Sequence, residues 1–87
     1  MDKFKIRFYQ KSNSMWFVNG GTFIITEEEY IIKYLFQTVA RFDINNTVAS
    51  KPAIMSNGIH LTDGKKSIDI YFFSKTAQKV YRLLNLK

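Results

Sequence analysis

Cysteine is absent from this 87-residue chain, and proline, histidine and tryptophan occur once each. The missing cysteine removes disulfides, thiolate chemistry and zinc–thiolate sites together, and it suits a reducing compartment. His60 has no second histidine to work with, and beside Asp63 or Asp69 it is better suited to a structural role than to proton transfer. Asp43, Asp63 and Asp69 are spread along the chain, whereas hard-cation sites concentrate oxygen ligands in one loop. Gly20-Gly21 precedes the β-branched Thr22 to Thr26 and not a helix, which argues against a phosphate-cradling loop. No long apolar run exists either. The N-terminal Met1 to Lys11 alternates charged with apolar residues, unlike a signal peptide or a membrane span. These absences leave no complete catalytic set, no metal site and no implied cofactor. The expectation is a binding module in the cytoplasm, at most peripheral to a membrane, and not an enzyme.

Acidic residues are also scarce, seven against 13 Lys and Arg, for a net charge of +6. Three of the seven are Glu27, Glu28 and Glu29 in one turn, so the rest of the chain is broadly basic. Such a field steers anionic partners, and it also serves solubility. What the chain has in quantity is bulk: 46% hydrophobic residues and 16% aromatic ones. That is enough for one core, and a single domain over 1–87 is expected.

The hydrophobic pattern is mainly that of strands. In the first run Phe4, Ile6 and Phe8 share one face, leaving Lys3, Lys5, Arg7, Tyr9 and Lys11 on the other. That basic stripe suits a polyanion, and equally the guarded outer side of an edge strand. Ser12 to Ser14 make a polar turn, and Met15 to Val18 begin a second run. There, alternation leaves either Trp16 or the Met15/Phe17 pair facing outward. Gly20-Gly21 marks a bulge or sharp bend. Thr22 to Thr26 and Tyr30 to Phe36 flank the three-glutamate turn as a hairpin. Gln37-Thr38 separates the latter run from a strand over Val39 to Ile44. Asn45-Asn46 turns the chain, Thr47 to Ser50 resumes it, and Pro52 marks an edge or a loop.

Asn57-Gly58 signals another turn, and Asp63-Gly64 joins Ile59 to Thr62 with Ser67 to Phe73 in a second hairpin. Ser74 is a good N-cap. Ala77, Val80, Tyr81 and Leu84 then follow helical spacing on one face, with Lys75, Lys79, Arg82 and Lys87 over the remaining surface. The fold class is mainly β with one C-terminal helix: a small, partly open antiparallel barrel of six to seven strands capped by that helix.

This order of elements resembles the pleckstrin-homology superfold, and more narrowly its GRAM-type and bacterial PH-like members. The likeness rests on Gly21-Thr22-Phe23-Ile24-Ile25-Thr26, the charged turn, Tyr30-Ile31-Ile32, the Gly58-Ile59-His60-Leu61 and Asp63-Gly64 hairpin, and the closing helix. It implies a non-enzymatic module that docks to a protein or a lipid headgroup. Phosphoinositide-binding members carry a lysine near the end of the first strand, which Lys11 could supply. They also carry cations at the start of the second, where Met15-Trp16-Phe17 has none, so specific inositol-phosphate recognition is not expected. A protein partner is the favoured reading, with an anionic lipid surface beside it. The alternative is nucleic-acid binding, with Lys3, Lys5 and Arg7 tracking phosphates and Tyr9 and Trp16 stacking bases. An open strand edge would also permit a homo-oligomer.

Overall fold

The computed structural model describes residues 1–11, 16–52 and 55–86. The expected polar turn at 12–14, Met15 and Lys87 lie outside them. Among the described residues nine strands precede the helix: β1 (Asp2–Lys5), β2 (Phe8–Lys11), β3 (Trp16–Asn19), β4 (Thr22–Ile25), β5 (Glu29–Tyr34), β6 (Gln37–Asp43), β7 (Val48–Ser50), β8 (Gly58–Thr62) and β9 (Ser67–Tyr71). A 3-10 turn at Ile44–Asn46 links β6 to β7, and α1 spans Ser74–Leu83. The strands form two antiparallel sheets, ordered β1-β4-β5-β6 and β3-β2-β9-β8-β7. The barrel is not closed, since β6 and β7 each end a sheet.

The two sheets share one bent hairpin. Register runs unchanged from Asp2↔Ile25 through Lys5↔Thr22 to Phe8↔Asn19 and Lys11↔Trp16. Bonds from Ile6 N–H to Gly21 O (2.9 Å) and Gly20 N–H to Arg7 O (2.8 Å) carry the ladder through the corner. Nine strands are therefore seven runs of chain, two of them folded across the corner. The expected Gly-Gly bend is found here. Gly21 has φ 118°, and a Cβ on it would sit 2.7 Å from the Lys33 carbonyl oxygen, so both backbone angle and space demand glycine.

The corner overturns the alternation expected for the first run. Phe4 and Ile6 point inward as anticipated, but beyond the bend the inward residue is Tyr9, which is buried in the core. Phe8 faces out instead, its ring stacked 4.7 Å from that of Tyr71. A sheet that coils through a corner exchanges its inner and outer faces, so strict two-residue alternation fails there.

Three other expectations change. The turn after β5 is Leu35-Phe36 and not Gln37-Thr38, which already belong to β6. A register shift opposite Ile32/Lys33 leaves Val39 as the extra, bulged residue of β6. At Asn57-Gly58 it is Asn57 that takes the left-handed conformation (φ 66°), while Gly58 lies within β8 with the Tyr71 ring 2.6 Å from where its Cβ would be. Ser74 opens α1 and does not cap it. Phe73 stands at the cap, with its carbonyl accepting from Ala77 N–H at 2.9 Å, because the chain passes almost directly from β9 into the helix.

Both expected hairpins, β4–β5 and β8–β9, are present. The apolar helical face is also where its spacing put it, with Ala77, Val80 and Tyr81 buried and Leu84 packed against the core. Tyr81 Oη donates to Gly58 O at 2.9 Å, so the one polar atom this face buries is satisfied. Phe23, Ile32, Phe42, Ile59, Leu61 and Ile70 form the centre. Each contributes about 1.5–3 kcal/mol by leaving water.

Candidate functional site

The outer face of the four-stranded sheet gathers cations by register. Lys5, Thr22, Lys33 and Thr38 stand in one cross-strand row. Lys3, Ile24, Ile31 and Arg41 form the next. Lys5 and Lys33 are two strands apart, about 10 Å at the backbone. Both are exposed, and among the described residues neither they nor Lys3 enter an ion pair. Ile24 is buried on this face yet stands outside the main core cluster. Lys3 stands directly opposite it in the register, and a lysine stem can lie along apolar surface while its ammonium group stays in water.

Two residues beyond Lys33 the β5–β6 turn projects Leu35 and Phe36, 76% and 100% exposed. Leu35 adopts φ 57°, a strained conformation for a leucine. The start of β3, on the neighbouring hairpin, is apolar as well. Trp16 (68% exposed) and Phe17 (58%) are both out, where alternation had offered one or the other. The two ends lie side by side: the Tyr9 and Tyr34 rings meet edge to face at 6.5 Å, and Lys11 Nζ donates to Val39 O at 3.4 Å.

The remaining expected site residues are dispersed. Tyr9 is a core residue whose phenol pKa is pushed up by burial and then by Tyr34, so it offers no stacking platform. Arg7 sits at the corner with its guanidinium over Phe8 (5.9 Å) and Phe73 (5.5 Å). It lines a cleft of about 330 Å³ with Phe8, Met55, Ser56, Asn57, Tyr71 and Phe72. Lys75, Lys79 and Arg82 fall at i, i+4 and i+7, forming one exposed stripe opposite the buried face of α1. The five-residue stripe expected from Lys3 to Lys11 is therefore not one surface. Lys3 and Lys5 belong to the four-stranded sheet, Arg7 to the corner and Lys11 to the junction between sheets.

Lys33, Leu35 and Phe36 escaped sequence reasoning. Tyr30 to Phe36 is an unbroken strand-like run, and the turn within it holds no Gly, Asn, Asp or Pro to announce itself. His60 pairs with Asp69 directly across β8 and β9, Nδ1 to Oδ1. Among the described residues no group of three or more His, Cys, Asp or Glu is placed to hold a metal ion, and no helix is long and apolar enough to cross a membrane. No family model, curated protein or solved structure matches this chain.

Proposed function

We propose that this chain is a non-enzymatic interaction module of pleckstrin-homology or GRAM type that docks peripherally on an anionic membrane surface. The bent first hairpin, the return of β9 onto β2 and the closing helix support the family likeness. The observation that carries the function is the Leu35-Phe36 tip, both side chains offered to solvent next to the Lys5–Lys33 row. Folding gains nothing from exposing a phenylalanine at a strained turn. A lipid surface gives both halves of the arrangement a use. The apolar tip enters the headgroup boundary, and each lysine close to an anionic leaflet adds about 1 kcal/mol. Trp16 at the adjacent hairpin end is of the residue type that settles at such interfaces. Glu27 and Glu28 are at the far end of β5, about 20 Å away, where their charge favours the same orientation.

A protein partner would use the same tip as an apolar anchor, but nothing in that case calls for the lysine row. Nucleic-acid binding loses the stripe it required, because Tyr9 is in the core.

Co-sedimentation with phosphatidylcholine vesicles, with and without phosphatidylglycerol, tests the proposal. The chain is expected to bind the anionic vesicles alone. Phe36→Ser and the pair Lys5→Glu, Lys33→Glu should each weaken binding by about tenfold or more with an unchanged circular-dichroism melt. Equal binding to both vesicles, or no effect of either variant, overturns it.

A further inference from the structure

Among the described residues, one edge of the five-stranded sheet carries no guard. The described residues present four sheet edges, and three carry a device that discourages strand addition. β1 bears Lys3 and Lys5 and has α1 against it. β6 bears Arg41 and the Val39 bulge. β7 is only three residues long and runs into Lys51-Pro52. The fourth, β3, reads Trp16-Phe17-Val18-Asn19, with no charge, no proline and its two largest side chains exposed. Gly20 N–H bonds to Arg7 O across the hairpin. By the alternation of an antiparallel ladder, the N–H and C=O of Phe17 and Asn19 then face the open side.

A row of aromatic rings crosses the outer face of this sheet and stops at that edge. Tyr71 on β9 stacks on Phe8 of β2 at 4.7 Å, and Phe8 meets Phe17 of β3 at 5.8 Å. We infer that a second copy of this chain pairs antiparallel on β3, with Phe17 of each copy on the two-fold axis. The edge shares Trp16 with the neighbourhood of the membrane-docking tip, but the inference rests on the open strand and not on that function. With Phe17 opposite Phe17, Trp16 lies opposite Val18 of the other copy and Val18 opposite its Trp16. Outer faces meet outer faces, as a two-fold axis normal to the sheet requires. The aromatic row becomes continuous, Tyr71-Phe8-Phe17 followed by the same three residues in reverse, and the outward backbone groups of Phe17 bond to their own copies. A foreign peptide would find no charge or pocket on β3 to select it, whereas the strand matches itself on both faces.

The dimer forms against long-range repulsion between two chains of net charge +6. Added salt therefore tightens it, the reverse of what an acidic partner would show. Sedimentation equilibrium up to roughly 1 mM chain, at low and high salt, is the first test. A monomer–dimer equilibrium that strengthens with salt is expected. Phe17→Lys, which sets two cations face to face on the axis, should weaken it by at least tenfold with an unchanged far-ultraviolet spectrum. The absence of native cysteine allows a test of register that tolerates a weaker dimer. Phe17→Cys should oxidise to a disulfide between copies well ahead of Asn19→Cys, which this register sets four positions away from its own copy, about 13 Å along the strand. A single monomeric species throughout, a dimer indifferent to Phe17→Lys, or Asn19→Cys cross-linking as readily as Phe17→Cys overturns the inference.

Discussion

The two turns of the four-stranded sheet stand at opposite ends of β5 and are built in opposite ways. At Thr26 to Glu28 the chain satisfies itself. The Thr26 hydroxyl accepts from the backbone N–H of Glu28 (3.2 Å) and Glu29 (2.9 Å), and Thr26 N–H donates to Glu29 O at 2.9 Å. Glu29 is then tied to Arg41 at 3.1 Å. At Leu35-Phe36 there is no polar turn residue, Leu35 is in the left-handed region, and both side chains are in water. One turn follows the rules of stability. The other departs from them in backbone angle and in burial at once, and such departures concentrate where a surface is used.

If that contrast is sound, the acidic turn should respond to mutation as a structural element and nothing more. Thr26→Ala removes the acceptor for two backbone N–H groups and a favourable local turn. It is expected to cost about 1–2 kcal/mol, read as a lower urea midpoint. Binding to anionic vesicles should stay as it was. A parallel loss of vesicle binding in fully folded protein would mean that the two ends are coupled, and the division between them would fail.

The two turns also differ in how far the amino-acid pattern discloses them. Thr26 followed by three glutamates, between two β-branched runs, marks the first as a turn, and Asp63-Gly64 does the same for β8–β9. The period of Ala77, Val80, Tyr81 and Leu84 likewise identifies the buried face of α1. All three signals are local, and the structure keeps them. Leu35-Phe36 has no local signal, because its turn is imposed by the pairing of Lys33 with Thr38 and Tyr34 with Gln37. The inversion that sends Tyr9 inward is set by Gly20 and Gly21 on the partner strand, where the bend is legible but its consequence for the first run is not. Lys3 and Lys5 are visible in the sequence as one side of a strand. Their neighbour Lys33 joins them only through a third strand lying between them, which no spacing along the chain reveals.

The apolar turn should behave in the contrary sense to Thr26. Leu35→Asn puts a residue that accepts the left-handed region at φ 57°, so stability should rise by about 1 kcal/mol. Vesicle affinity should fall, because half of the apolar tip is gone. Gain in stability with loss of binding is the signature of a turn kept for its surface. A stability loss would instead show that Leu35 makes contacts worth more than its strain.

The smallest effect separates charge from packing at the acidic end. Arg41 and Glu29 form an ion pair whose side chains are 57% and 35% exposed, so water and salt screen most of its Coulomb energy. Arg41 also stands in the row with Ile31, and a long stem there covers apolar surface whether or not its head is charged. Arg41→Met keeps a stem of similar reach and removes the guanidinium. It should cost no more than about 0.5 kcal/mol, and that cost should vanish at high salt. Arg41→Ala should cost somewhat more by a part that salt leaves untouched, since truncation uncovers Ile31. If Arg41→Met instead cost well over about 1 kcal/mol and high salt erased that cost, the acidic turn would depend on its ion pair and not on the hydrogen bonds of Thr26.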